Sequence, residues 1–117
     1  RQILEALGKK DSNAGLKVIQ TAVSENMDAR TFAKLLIHRM RIILLMRYAP
    51  DLAETLSREI TEADLALAKS LSKNSGVNSE MLRALLGAYS QMAYATVPHL
   101  PLELAVIEIC ANDNKSA

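Results

Sequence analysis

Few side chains in this sequence are of the types that carry catalysis or hold metal ions. The 117 residues include one cysteine, Cys110, and two histidines, His38 and His99, far apart along the chain. The sequence contains no glycine-rich phosphate loop, no paired-cysteine spacing and no HExxH pattern. No motif therefore indicates a nucleotide site, a metal site or an activated nucleophile. Catalytic triads are assembled in space, so the sequence alone leaves that arrangement open.

Ordinary structural roles account for these three residues. His38 lies on a polar stripe with Lys34 and Arg41, where a solvated histidine is expected. His99 stands between two prolines in a predicted loop, and Cys110 lies in an apolar run, which is typical of a small core residue. A single cysteine also has no partner for a disulfide within the chain.

Charge is distributed unevenly along the sequence, although the formal net charge is only +1. Residues 51–64 hold five acids and one arginine, whereas residues 29–50 hold no acid and five basic residues, namely Arg30, Lys34, Arg39, Arg41 and Arg47. One hypothesis is a nucleic-acid-binding helical module that uses the basic helix 30–47 to contact phosphates. The lack of interleaved aromatic residues favours a solvated face instead.

Two of these basic residues, Arg39 and Arg47, lie on or beside the apolar face of the predicted helix. Arginine is favoured at interfaces, because its stem packs on apolar surface and its head pairs with carboxylates. We therefore expect both residues at a subunit contact. Arg39→Ala or Arg47→Ala should then lose the oligomer without losing helicity.

The composition predicts a single domain of packed helices. Half of the residues are apolar, only 3% are aromatic, and no segment alternates like a strand. The domain is predicted at residues 1–111, with 112–117 as a disordered tail or the start of a linker. The longest apolar run, 42–46, is far below the ~20 residues that cross a bilayer, so we expect a cytoplasmic protein. Because the sequence begins at Arg1, we also expect a piece of a longer protein.

The segment RTFAKLLIHRMRIILLMRY is predicted to form a central helix near residues 29–48. Apolar residues at steps of three and four give it one apolar face, and residues 42–46 are apolar on every side. Such a helix must be covered on every side, by the rest of the chain or by another subunit, and we expect that its own domain cannot cover it alone. The predicted interface residues come from this helix and from the last one: Arg39, Ile42, Leu45, Met46, Arg47, Leu102 and Val106.

Capping residues and prolines predict six further helices around the central one, so the fold class is an all-α bundle of about seven helices, four of them short. Gly8 is expected just past the end of the first helix, and Ser12 or Asn13 to cap the second. Asp28 is expected to cap the central helix. Pro50 should end that helix and begin a short one.

Similar features divide the second half of the chain. Thr61 is expected to open a helix through a capping box, and residues 74–76 to break it. Asn78 or Ser79 should start a second long helix. Pro101 fits the first position of the last helix, whose surface is apolar except at two glutamates and is predicted to be buried on two sides.

The order of these segments resembles a known family. Residues 9–48, KKDSNAGLKVIQTAVSENMDARTFAKLLIHRMRIILLMRY, are similar to the C-terminal collar domain of the bacterial DNA polymerase III gamma/tau subunit. The matching positions are residues 11–16 in one helix, then Phe32, Leu35, Leu36 and Arg39 in the next. The segment LRALLGAYSQMAYATVPHLPLELAVIEIC resembles the family's closing long helix, proline-containing break and last helix. The similarity covers residues 2–111.

The resemblance implies a structural role without catalytic residues. In that family, ATP hydrolysis and clamp opening belong to modules upstream of the collar, so ATP, magnesium and zinc are expected only there. Collar domains associate side by side in a ring that holds the clamp-loader subunits together. The resemblance therefore implies other clamp-loader subunits as partners, in homo- and hetero-oligomers, with DNA as a candidate contact in the assembly. It implies no membrane and no small-molecule substrate.

The parent protein would be an ATP-dependent clamp-loader subunit of a DNA-directed DNA polymerase holoenzyme acting in DNA replication. Two other functions stay open beside it. The nucleic-acid-binding module would bind DNA in a salt-dependent way. A helical domain that encloses a small apolar ligand would show a large pocket between the central and last helices.

Overall fold

A computed structural model of the chain describes residues 2–56, 58, 61–73 and 77–115. Over these residues the chain forms α-helices and no strand, so the predicted all-α bundle of about seven helices is confirmed. The helices are α1 (Gln2–Gly8), α2 (Ser12–Ser24), α3 (Ala29–Tyr48), α4 (Pro50–Leu56), α5 (Glu62–Ser72), α6 (Ser79–Met92) and α7 (Leu100–Lys115). No helix within these ranges is both long enough and apolar enough to cross a membrane.

The predicted central helix is α3, which packs against α4, α5 and α6 and touches α2. Its start is fixed by Asp28, whose Oδ1 accepts a hydrogen bond from Arg30 N at 3.4 Å and whose Oδ2 accepts one from the Thr31 hydroxyl at 2.9 Å. Its end is fixed by Pro50, which is the first residue of α4, as predicted. The predicted bounds of this helix are confirmed.

Short polar side chains also cap the later helices where the sequence placed them. Thr61 Oγ1 accepts a hydrogen bond from Asp64 N at 3.2 Å, and Asn78 Oδ1 accepts one from Met81 N at 3.1 Å. The prediction of Ser12 or Asn13 as the cap of α2 was one or two residues late, because Asp11 Oδ1 accepts a hydrogen bond from Ala14 N at 3.0 Å. A carboxylate there also interacts favourably with the positive end of the helix dipole.

The end of α1 differs from the prediction that Gly8 lies past the helix. Gly8 is the last helical residue, and Lys10 adopts the left-handed conformation with φ 58°. Asp11 N then donates to Ala6 O at 2.9 Å, which closes the turn in the manner of a helix C-terminal motif. Lys10 Nζ also reaches Ile109 O at 3.5 Å, so this turn contacts α7.

The last helix is longer than predicted at both ends. It begins at Leu100 instead of Pro101, and its backbone continues to Lys115, beyond the predicted domain end at residue 111. The segment after Cys110 contains neither proline nor glycine, so nothing in it stops the helix. Residues 116–117 and the predicted break at 74–76 lie outside the described residues.

The core lies where α3, α6 and α7 meet the shorter helices. α7 packs along α6 and also against α2 and α1. The largest fully buried side chains come from α1, α2, α3, α6 and α7 and from the residue two before α6: Leu7, Ile19, Met40, Ile42, Ile43, Val77, Met81, Leu85, Leu102 and Val106. Burial of this kind is the main stabilising contribution in a helical domain. It also fixes which face of each helix is left at the surface.

Candidate interaction surfaces

The residues with potential chemistry occupy separate places in the fold. His38 is half-buried on α3, and His99 Nε2 lies 3.9 Å from Glu103 Oε1 at the start of α7. Cys110 is buried. Burial raises the pKa of the Cys110 thiol, an effect that Lys10 partly offsets and Asp11 adds to. In the described part of the chain, no three His, Cys, Asp or Glu side chains lie together in a way that would hold a metal ion.

Three of the predicted interface residues lie inside the domain. Ile42 and Leu102 are each 1% exposed and Val106 is 0% exposed, so this chain's own helices already cover them. Their assignment to an interface is therefore corrected, because they have no surface to offer a partner. Leu45 and Met46 are half-buried. The turn of α3 that is apolar on every side is thus largely covered from within, contrary to the expectation that it needs another subunit.

Met46 is also part of a shallow groove between α3, α4 and α5. This groove has a volume of about 480 Å³, and its lining includes Met46, Pro50, Ala53 and Lys69. Glu54 and Lys73 also line it, so it mixes apolar and charged side chains. It is therefore a less apolar surface than those described below.

Arg39 and Arg47 both bind partners within the chain. Arg39 Nη1 lies 3.2 Å from Asp64 Oδ2, and Arg47 Nε donates to Ser72 O at 2.8 Å. Each arginine therefore connects α3 to α5, one near the start of α5 and the other at its last residue. Their role at a subunit contact stays a prediction.

Contacts within the chain reduce the positive charge that α3 presents to solvent. Arg30 is placed with its guanidinium carbon 5.0 Å from the centre of the Tyr89 ring, which is a cation–π contact with α6. Lys34 and Arg41 are exposed. Because Arg39 and Arg47 are committed to α5, the surface charge of this helix is smaller than its sequence indicates.

The outer face of α7 carries the most regular exposed apolar surface. Leu100, Leu104 and Ile107 are 44%, 48% and 45% exposed, and their i, i+4, i+7 spacing places them on one side of the helix. Glu103 and Glu108 flank this stripe on its two edges. We call these three apolar residues the α7 stripe.

The sequence predicted that α7 is buried on two sides, and within this chain that is wrong, because Leu100, Leu104 and Ile107 leave one apolar side exposed. The predicted interface residues of α7, Leu102 and Val106, lie on its buried inner face. The positions of Glu103 and Glu108 in the sequence could have identified the outer face. On a helical projection they bound the face that holds Leu100, Leu104 and Ile107, and charged residues mark the solvent side of a helix.

A second exposed apolar surface is a groove between α1, α3 and α5. It has a volume of about 240 Å³, and its described lining residues are mostly apolar: Ile3, Leu4, Met27, Phe32, Leu35, Leu36, Arg39, Ile42, Ile43, Asp64, Leu67 and Ala68. It opens to solvent, since Met27 and Leu35 are 48% and 53% exposed. We call it the α3 groove. It does not lie between the central and last helices, where an enclosed ligand pocket was considered.

No family model, curated protein or solved structure matches this chain. The function is therefore inferred from the exposed surfaces of the domain. Two exposed apolar surfaces on one small domain, the α7 stripe and the α3 groove, are the features that its own core does not explain.

Proposed function

We propose that this chain is a non-catalytic oligomerisation domain of a DNA polymerase III clamp-loader gamma/tau subunit. In this role it holds the ATP-driven sliding-clamp loader together during DNA replication. The α7 stripe is the observation that carries the proposal. Contiguous exposed apolar surface on a helix that is otherwise locked into the core is typical of a protein–protein contact.

The order of the helices supports the same proposal. The resemblance requires a short helix, a helix opened by Asp11, a turn, and a helix with Phe32, Leu35, Leu36 and Arg39. These segments are α1, α2 and α3. It also requires a long helix, a proline-containing break and a last helix, which correspond to α6, residues 93–99 and α7.

The mechanism under this proposal is positional and involves no bond making. The packed core keeps α7 at a fixed angle to α3, so a partner bound on one surface is held at a defined orientation to the rest of the domain. ATP, magnesium and zinc would act in other modules of the parent protein. A rigid collar would let a nucleotide-driven movement in those modules be transmitted to the clamp instead of being lost in a flexible joint.

The direct experiment is co-elution of the tagged chain with the clamp-loader subunits of the same organism on a size-exclusion column. The proposal predicts a complex that elutes ahead of each component. A matched Leu104→Lys variant should lose the complex while keeping its circular dichroism spectrum, because Leu104 is exposed and its replacement leaves the core intact. Separate elution of the wild-type chain and every clamp-loader subunit would refute the proposal.

The nucleic-acid-binding alternative has weaker support. Two of its five basic residues, Arg39 and Arg47, hold α5 in place, and Arg30 packs on an aromatic ring. Few phosphate contacts predict weak binding with a shallow dependence on salt. Fluorescence anisotropy with a labelled duplex decides the matter. Tight, steeply salt-dependent binding that is lost in Lys34→Ala and Arg41→Ala would favour this alternative over the collar.

A further inference from the structure

We infer that the α3 groove is a binding site for a small, mostly apolar molecule that carries one neutral hydrogen-bonding group, such as a hydroxyl. The groove contains no described residue of α7, so this site is separate from the α7 stripe and goes beyond the proposed function. Its shape, the burial of its lining and the ion pair in its wall define the ligand.

The floor of the groove is apolar and is held in place by the core. Ten of its twelve described lining residues are apolar, so the groove favours an apolar ligand. Buried residues of three helices supply the floor: Ile3 and Leu4 of α1, Ile42 and Ile43 of α3, and Ala68 of α5. The site is therefore largely formed before a ligand enters, as is usual for small-molecule sites.

The opening and the size of the groove suit a small molecule. Exposed Met27 and Leu35 lie at the opening, and the flexible methionine side chain can adjust to the shape of a ligand. The volume is about 240 Å³. An apolar cavity of about 150 Å³ holds benzene, whereas drug-sized ligands occupy about 300 Å³ or more. The groove therefore fits a single ring with a short substituent.

The ion pair of Arg39 and Asp64 gives the groove its polar group. Arg39 lies one turn from Leu36 and one turn from Ile43 along α3, so the pair interrupts an apolar wall. The side chains of Arg39 and Asp64 are 30% and 25% exposed, so both can be reached from the groove. A guanidinium only donates hydrogen bonds and a carboxylate only accepts them. A ligand hydroxyl can accept from Arg39 and donate to Asp64 at the same time.

Arg39 also has a donor that is not in use. Its Nη1 lies 3.2 Å from Asp64 Oδ2, but within the described part of the chain Nη1 makes no hydrogen bond. Buried donors without an acceptor are uncommon in folded proteins. A ligand oxygen would supply the acceptor, and a small turn of the guanidinium toward it breaks no hydrogen bond of Nη1.

The charges in the groove favour a neutral ligand over an ion. Arg39 and Asp64 together carry no net charge, so a carboxylate would be repelled by Asp64 and an ammonium by Arg39. An ion would also have to lose its water against an apolar floor, which is costly. A hydroxyl meets neither penalty in full.

NMR titration of the isotope-labelled full chain tests the site with benzyl alcohol and toluene, which differ by one hydroxyl. Both probes should give saturable shifts at the groove, including the amides of Leu35 and Leu67, and phenylacetate should bind more weakly than the alcohol. Leu35→Glu places a charge at the opening and should weaken both probes. Shifts centred elsewhere, tighter binding of phenylacetate, or a dissociation constant above about 10 mM for benzyl alcohol would overturn the site.

A double substitution tests the role of the ion pair. Arg39→Met with Asp64→Leu replaces the pair by apolar side chains, a change that folded proteins commonly tolerate. The dissociation constant of benzyl alcohol should rise about tenfold, because hydrogen bonds to charged groups are lost. Toluene should bind at least as tightly as to the wild type, which also shows that the groove is intact. An equal change for both probes would contradict the role of the pair.

Leu104→Lys separates this site from the proposed function. The variant should lose the complex with the clamp-loader subunits and bind benzyl alcohol as the wild type does, because Leu104 lies outside the groove. Loss of benzyl alcohol binding in this variant, with an unchanged circular dichroism spectrum, would count against the α3 groove as the site.

Discussion

Arg39 of α3 and Asp64 of α5 form an ion pair in which Arg39 Nη1 lies 3.2 Å from Asp64 Oδ2. Nη1 is buried and makes no hydrogen bond, so the contact is electrostatic without the directional geometry of a hydrogen bond. Asp64 belongs to the first turn of α5, where a carboxylate is also favoured by the helix dipole. Both side chains line the α3 groove, so the pair joins the central helix to α5 beside this apolar surface.

Removal of Asp64 should therefore be more harmful than removal of Arg39. Asp64→Ala leaves a buried guanidinium nitrogen without its partner, with an expected loss of about 1–2 kcal/mol in the free energy of unfolding. Arg39→Met keeps an apolar stem against the groove. Because the ion pair is partly exposed, this substitution should lower the free energy of unfolding by less than about 1 kcal/mol. Urea unfolding of both variants measures the difference. The opposite order would contradict this account of the pair.

Arg47 should stabilise the domain by holding the end of α5. Its Nε donates to Ser72 O at 2.8 Å, and this carbonyl lies at the helix C-terminus, where backbone acceptors lack helical partners. We expect Arg47→Met to lower the free energy of unfolding by about 1.5–3 kcal/mol, as for other hydrogen bonds to charged groups. Arg41→Met, at an exposed position on the same helix, is the control and should change it by less than about 0.5 kcal/mol. Equal effects of the two substitutions would count against the Arg47 contact.

Two glycines provide a matched test of helix packing. A Cβ on Gly15 would lie 3.1 Å from Val106 Cγ1, whereas a Cβ on Gly87 would meet nothing within 4 Å. Val106 is fully buried and branched at Cβ, so it has little room to move. Gly87→Ala should stabilise the domain by about 0.5–1 kcal/mol through helix propensity. Gly15→Ala should destabilise it by about 1 kcal/mol, because the clash outweighs that gain. Thermal unfolding of both variants measures the effects, and stabilisation by Gly15→Ala would show that α2 and α7 are less closely packed.

Cys110 should make stability fall at alkaline pH. Burial raises its pKa above the ordinary value of 9.0, so the folded state favours the neutral thiol. The resulting stability is fully present below the pKa of the unfolded chain and is lost as the pH rises through the higher pKa of the folded chain. Urea unfolding at pH 7 and pH 10 should show a larger decrease for the wild type than for Cys110→Ala. The thiol should also react with a thiol reagent far more slowly in the folded chain than in urea. Equal rates in the two states would contradict its burial.

Local rules account for the parts of the fold that the sequence predicted. Asp28, Thr61 and Asn78 cap helices through hydrogen bonds to amides two or three residues away, and Pro50 acts on its own turn. Interactions of this range depend only on neighbouring residues, so their effects are readable without a tertiary structure. Lys10 shows the limit of such rules. Gly8 was the residue expected just past the end of α1, but the residue with the left-handed conformation there is Lys10.

The interaction surfaces depend on contacts that the sequence does not contain. Arg47 bonds a carbonyl 25 residues away, and Arg39 pairs with a carboxylate on a helix that only the fold brings near. For α7 both faces are apolar, and Glu103 and Glu108 are the sequence signal for the outer one. The packing of α7 on α6 and α2 buries Leu102 and Val106 and leaves Leu104 exposed.

The central claim is that the outer face of α7 is an assembly surface, and sedimentation velocity tests it most directly. The wild-type chain and Leu104→Lys are measured alone from about 1 µM to about 1 mM, a range that covers weak domain contacts, and again with the clamp-loader subunits. We predict that the wild type sediments faster as its concentration or that of the subunits rises. Leu104→Lys, with an unchanged circular dichroism spectrum, should stay monomeric. A Leu104→Lys variant that associates as strongly as the wild type, or a wild type that is monomeric under both conditions, would contradict the claim.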